Sequence, residues 1–209
     1  MRLYNGNRIV MTALHLLFFI LCRDLASQVY TDREFLIKGE MLLLKGKYDE
    51  AIESLRAVQG SSLRLHYLMG AAHQYQGNAD VAVEHYRKAL TFSEDEKSML
   101  ALSHLGLGQT LFELEQYPQA LEVLQVVVGR YYGKLSPVYP RLPAYDYLDQ
   151  GNGGLHCIAD DAQLLIGKCY EKTGQPEKAA AAFANLGRFF PFSNRIMEAE
   201  NRLRELQER

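Results

Sequence analysis

The chain has 209 residues, 48% of them apolar, 23 Lys+Arg against 25 Asp+Glu and a net charge of −2. That is enough for one domain or two small ones with a buried core. The balance excludes a strongly basic nucleic-acid binder and a multi-span membrane protein, and three cysteines are too few for a disulfide scaffold.

Residues 1–27 differ in character from the rest of the chain. Arg2 and Arg8 precede a 13-residue apolar run, Ile9 to Leu21, broken only by Thr12 and His15. A spanning helix needs about 20 residues and a secretory core roughly 7–15. The small residues of Leu25-Ala26-Ser27 come next, so the segment reads as a signal peptide cleaved after Ser27. The alternatives are an uncleaved anchor, lipidation at Cys22 behind the bulky Leu21, and a buried N-terminal helix. Removing residues 1–27 leaves 20 basic (23 less 3) and 24 acidic (25 less 1), a net of −4. An acidic exported chain has no electrostatic reason to seek nucleic acid, and would meet a membrane only through this segment.

Beyond it one spacing recurs. Gly39, Gly70, Gly108 and Gly167 are each followed twelve residues later by alanine: Ala51, Ala82, Ala120 and Ala179. Seven residues after each glycine comes a turn, at Gly46, Gly77, Glu115 and Gly174. Each turn separates two stretches of helical periodicity, and glycine there suits the left-handed end of a helix. Two antiparallel helices approach closely only where side chains are small. Larger residues fill the remaining space: Tyr86, Leu124 and Phe183 each lie four after their alanine. One such hairpin cannot bury its apolar face alone, so several must stack.

The pattern resembles the tetratricopeptide repeat family. Ile166-Gly167-x-x-Tyr170, Ala179-x-x-x-Phe183 and Pro191 match its motif best, and Met69-Gly70 with Ala82, Tyr86 and Ala89 match it next. The first and third units carry Leu55 and Leu124 at the aromatic position, and the family's tryptophan is replaced by Phe35, His66, His104 and Gln163. The resemblance implies an all-α, right-handed superhelix of about four hairpins, with repeats at 32–62, 63–94, 101–128 and 160–192 and a polar capping helix at 193–209. The fourth unit's Ala159-Asp160-Asp161-Ala162, Gly167-Lys168-Cys169-Tyr170 and Phe190-Pro191-Phe192-Ser193 further resemble exported bacterial repeat proteins of Tol-Pal function and outer-membrane assembly.

The same resemblance places a concave surface on the first helix of each hairpin. Its positions here are Arg33, Leu36, Glu40 and Leu43; Arg64, Tyr67, Ala71 and Gln74; Leu102, Leu105, Gln109 and Phe112; Asp161, Leu164, Lys168 and Glu171. Glu40 and Ala71 stand where carboxylate-clamping relatives use lysine and asparagine, which argues against that mode. Seven of these sixteen are large and apolar, which favours a protein partner offering an amphipathic helix or an extended apolar peptide. The competing occupant is the chain's own insert or capping helix.

The insert, about 129–157, holds five of thirteen tyrosines and three of six prolines. Pro137, Pro140 and Pro143 forbid a continuous helix. Tyr131, Tyr132, Tyr139, Arg141, Tyr145 and Tyr147 are candidate partner contacts, or cover for the groove between the third and fourth units. His156-Cys157 with Asp160 and Asp161 fits no zinc spacing. The two aspartates read as helix N-terminal residues, and Cys169 as core. His66, His73, His85 and His104 read as packing or surface residues. No catalytic motif appears, so no enzyme, cofactor or metal is expected. The expected function is a non-enzymatic scaffold of the cell envelope. The alternatives are a membrane-anchored assembly subunit and a metal-dependent enzyme built on the His156 region.

Overall fold

The computed structural model describes residues 18, 28–29, 31–92, 97–131, 158–191 and 193–208. Among these the fold is all-α. The chain divides into two compact units, Met1–Ser61 and Ser62–Arg209.

The first unit holds one helical hairpin, α1 (31–44) and α2 (Tyr48–Arg56). Ala51, Ile52 and Leu55 are the buried apolar residues of α2. A β-carbon on Gly39 would stand 2.6 Å from Leu55 Cδ2, so only glycine admits the leucine at this distance. Ser54 is buried and donates its hydroxyl to the Phe35 carbonyl at 3.1 Å. Asp32 accepts the backbone N–H groups of Gln59 and Gly60 at 3.0 and 2.9 Å, which lowers its pKa.

The second unit stacks three hairpins. They are α3 (Leu63–Tyr75) with α4 (Ala79–Ala89), α5 (Lys97–Glu113) with α6 (Tyr117–Val126), and α7 (Ile158–Lys172) with α8 (Pro176–Phe189). A π-helical turn, Val127–Tyr131, succeeds α6, and α9 (Ile196–Gln207) closes the chain. Ser62 caps α3 by accepting the Leu65 N–H. Each helix packs on the next, and α3, α5 and α7 also touch in series, which is the layering of a solenoid.

The same turn recurs in both units. Lys47, Asn78, Gln116 and Gln175 donate their N–H groups to the carbonyls of Leu42, His73, Leu111 and Tyr170 at 2.8–2.9 Å. The residue before each is left-handed: Gly46, Gly77 and Gly174 at φ 71°, 86° and 68°, and Glu115 at 60°. This is the paired-bond helix end that glycine adopts without strain, and Glu115 adopts it with a side chain.

Tyr86 organises the core of the second unit. β-carbons on Gly70 and on Gly106 would stand 2.8 and 2.5 Å from its ring, so its neighbours on α3 and α5 are both glycine. Gly108 and Gly167 receive Leu124 and Phe183 in the same way, at 2.5 and 2.3 Å. Gly106 and Gly108, two residues apart in α5, therefore serve two different large side chains. Leu111, Ala120, Val127, Ala162, Ile166 and Cys169 are among the residues buried in one cluster with Tyr86 and Leu124. A second cluster gathers Leu164, Phe183, Leu186, Phe190 and Ala199 beneath α9.

Candidate functional site

The groove begins with the register of α3, α5 and α7. Their parallel first-helix faces enclose a cavity of about 180 Å³. Tyr67, Ala71 and Gln74 of α3, Leu102, Leu105 and Gln109 of α5, and Asp161 of α7 line it. Seven of the positions inferred from the repeat thus meet in one place. Tyr75, Tyr86, Gly106 and Ile158 line it as well. Tyr86 reaches the cavity from α4 because the two glycines leave room for its ring. Its hydroxyl donates to Gln74 Oε1 at 2.8 Å, while Gln74 Nε2 donates to Glu113 at 3.2 Å. Burial, with Tyr67, Tyr75 and Glu113 nearby, pushes the Tyr86 pKa well above its ordinary value. It stays a neutral donor that fixes one wall.

The remaining groove positions lie elsewhere. Leu36 and Leu43 are half-buried on α1, in the first unit. Arg64 is half-buried at the start of α3 and does not line the cavity. Phe112 packs edge-on against Tyr117, ring centroids 5.3 Å apart, which turns it toward α6. Leu164 is a correction: it is 4% exposed in the cluster beneath α9 and offers no surface to a ligand. Lys168 pairs with Glu198 of α9 at 2.6 Å. Asp161 and Glu171 pair with Arg195 and Arg202 at 2.7 and 3.6 Å. In the fourth unit the chain's own terminal helix takes the concave positions, as the competing reading of the groove anticipated. Leu105 is only 7% exposed, so it is a floor residue and not a rim contact.

The aspartates read as helix N-terminal residues do sit in the first turn of α7. The structure adds partners that spacing could not reveal. Asp160 is buried and accepts the Ser193 hydroxyl, and the same hydroxyl accepts the Arg195 N–H. Gln163, at the tryptophan position, donates to the Ala182 carbonyl at 2.9 Å. Cys169 is a free, fully buried thiol whose pKa burial pushes up to about 12. Tyr131 ends the π-helical turn. Tyr132, Tyr139, Arg141, Tyr145, Tyr147, His156 and Cys157 lie outside the described residues, as does almost all of the N-terminal segment. Among the described residues no helix is long and apolar enough to cross a membrane, and no three His, Cys, Asp or Glu gather to hold a metal.

Comparison with known proteins fits this geometry. Residues 61–131 and 161–193 each match a family model described as tetratricopeptide repeat. Among solved structures the chain is similar to the crystal structure of MamA, at 17% identity over 81% of this chain and 82% of that one, TM-score 0.61. It is similar to MamA from residue 41 to the end, from Desulfovibrio magneticus RS-1, at 18% identity over 85% and 94%, TM-score 0.58. It is also similar to PilF of Pseudomonas aeruginosa, at 18% identity over 87% and 70%, TM-score 0.61. No curated protein matches. At these identities the likeness is one of fold. The chain carries tetratricopeptide repeats, over residues 61–131 and 161–193.

Proposed function

We propose that the protein is a non-enzymatic scaffold of the bacterial cell envelope that holds an apolar segment of a partner protein, helical or extended, in the α3–α5–α7 groove. One observation carries the reading. Successive repeats converge Tyr67, Leu102, Leu105 and Ile158 on one cavity, with the amides of Gln74 and Gln109 beside them. An apolar floor with a few fixed polar groups is the chemistry of peptide capture in a helical groove. The export half of the proposal rests on the apolar run of residues 9–21 and on the envelope-protein resemblance of the fourth unit.

The test uses the full chain in cells. A photoreactive residue replaces Gln109, and crosslinked partners are identified by mass spectrometry, with and without Leu102→Lys. Leu102 is half-buried at the cavity, so the charge enters the groove without entering the core. The expected result is one dominant partner that Leu102→Lys removes. Undiminished capture by the charged variant refutes the groove. The mass of the mature chain tests export: loss of residues 1–27 supports it, and their retention favours a membrane-anchored assembly subunit instead.

A further inference from the structure

The large apolar side chains left exposed are not spread evenly. Five of the nine among the described residues, Phe18, Val29, Ile37, Met41 and Leu44, lie before residue 45. Three of them form one stripe along α1: Ile37, Met41 and Leu44 are 42%, 51% and 74% exposed. At about 100° per residue the stripe spans roughly 60° of the helix, on the side opposite Gly39, which packs against Leu55 of α2. Arg33 borders it on one flank and Lys38 and Lys45 on the other, all exposed. Glu34 is the one exposed acid of α1, since Asp32 and Glu40 are half-buried. Three cations less one anion give this face a net of +2, on a chain whose net charge is −2.

We propose that this face of α1 docks on an anionic lipid surface, its apolar stripe at the boundary of headgroups and acyl chains and its cations at the phosphates. A helix that lies in a membrane interface has this build. The aliphatic stems of the flanking lysines follow the apolar side chains down while their ammonium groups stay at the headgroups. Two further observations select lipid. Only residues 22–30 separate the apolar run Ile9–Leu21 from α1, so a chain that keeps the run holds α1 beside the same surface. A second copy is a poor occupant, because two such faces would set +2 against +2. The sequence pattern places membrane contact on residues 1–27 alone. α1 adds a second contact, on residues kept whether or not that segment is removed.

The composition of the face also sets its limits. Three apolar residues and three cations make a weak contact, and attraction to anionic headgroups fades within a Debye length, about 8 Å at physiological ionic strength. Binding should therefore require anionic lipid and fall as salt rises. α1 belongs to the first unit and the groove to the second, so the two proposals stand or fall separately.

The chain contains no tryptophan, so Met41→Trp places a single reporter in the stripe. The full chain is mixed with vesicles of phosphatidylglycerol and phosphatidylcholine, or of phosphatidylcholine alone, with brominated acyl chains as the quencher. With phosphatidylglycerol the emission should shift to the blue and be quenched. Lys38→Glu with Lys45→Glu should raise the lipid concentration for half-quenching at least tenfold. Lys88→Glu with Lys172→Glu, the same change in net charge at exposed positions of the second unit, should leave it unchanged, with circular dichroism confirming each fold. A reporter at Met197, exposed on α9, should stay unquenched. An unquenched Met41→Trp overturns the proposal, as does quenching that survives the charge reversal on α1. Blue emission before vesicles are added also overturns it: emission that reddens on dilution assigns the face to a second copy, and emission that does not assigns it to the chain's own N-terminal segment.

Discussion

Gly167→Ala is the sharpest test of how this solenoid is packed. A β-carbon there would stand 2.3 Å from Phe183 Cε1 and 2.6 Å from its Cδ1. Ordinary contact begins near 3.4 Å, so the ring must retreat by about 1 Å. Phe183 is 2% exposed, with Ala179, Leu186 and Phe190 in its cluster, and has no free direction to move. Overpacking of this kind costs about 1–3 kcal/mol and this clash lies at the upper end. Alanine returns about 1 kcal/mol of helix propensity, leaving a net loss of about 2 kcal/mol. Gly187, on α8, is the internal control: nothing lies within 4 Å of its β-carbon. Gly187→Ala should gain about 0.5–1 kcal/mol from propensity alone. Urea unfolding tracked by helical circular dichroism should place the two variants on opposite sides of the parent, about 2.5–3 kcal/mol apart. A Gly167→Ala protein as stable as the parent would falsify the close-approach account of the repeated glycine.

Glu115→Gly should stabilise the third hairpin by about 0.5–1 kcal/mol, since it removes a left-handed side chain at a small cost in unfolded-chain entropy; a lower unfolding midpoint would contradict the turn geometry. Burial pulls the His85 pKa from 6.5 to about 4, with His66, His73 and Lys88 adding repulsion. The folded state therefore binds fewer protons than the unfolded state between these values, and stability falls as pH drops from about 6.5 to 4. His85→Gln should flatten that slope by about one proton, and an unchanged slope refutes the shift. Iodoacetamide should leave Cys169 unmodified in the native protein and alkylate it in urea, read by peptide mass spectrometry. Native alkylation would show that α7 opens.

The architecture was legible because its cause is periodic. A glycine, an alanine twelve residues on and a large side chain four beyond that are one packing event written out in sequence. The structure places those large side chains, Leu55, Tyr86, Leu124 and Phe183, on their glycines. The groove floor was legible for the same reason, since Tyr67, Gln74, Leu102, Leu105 and Gln109 obey the helix register. What escaped has no period. Gly106 stands outside the twelve-residue spacing, and only the fold brings Tyr86 against it. The partners of Asp160 and Asp161 lie 33 and 34 residues away, beyond any local spacing rule. Leu164 satisfies the groove register as well as Leu105 does. Its burial depends on α9, whose stripe of Ile196, Ala199, Leu203 and Leu206 says that it packs, but not on what.

The terminal helix shows how the chain separates closing the stack from leaving a site open. Arg195, Glu198 and Arg202 recur at the spacing of one helical face and meet Asp161, Lys168 and Glu171 in the same order along α7. Matching order means that α9 runs parallel to α7, as a further first helix would. These pairs are partly exposed, and such pairs contribute little stability individually. The area beneath them is different: Leu164, Phe183, Leu186 and Ala199 are buried there. The apolar contact therefore supplies the energy and the charges fix the register, because sliding α9 by one turn would oppose like charges. α9 thus occupies the concave positions of the fourth unit. It leaves the cavity between α3 and α5 open, bounded at one edge by Asp161 and its arginine. Asp161 thus serves both the cavity lining and the seat of the terminal helix.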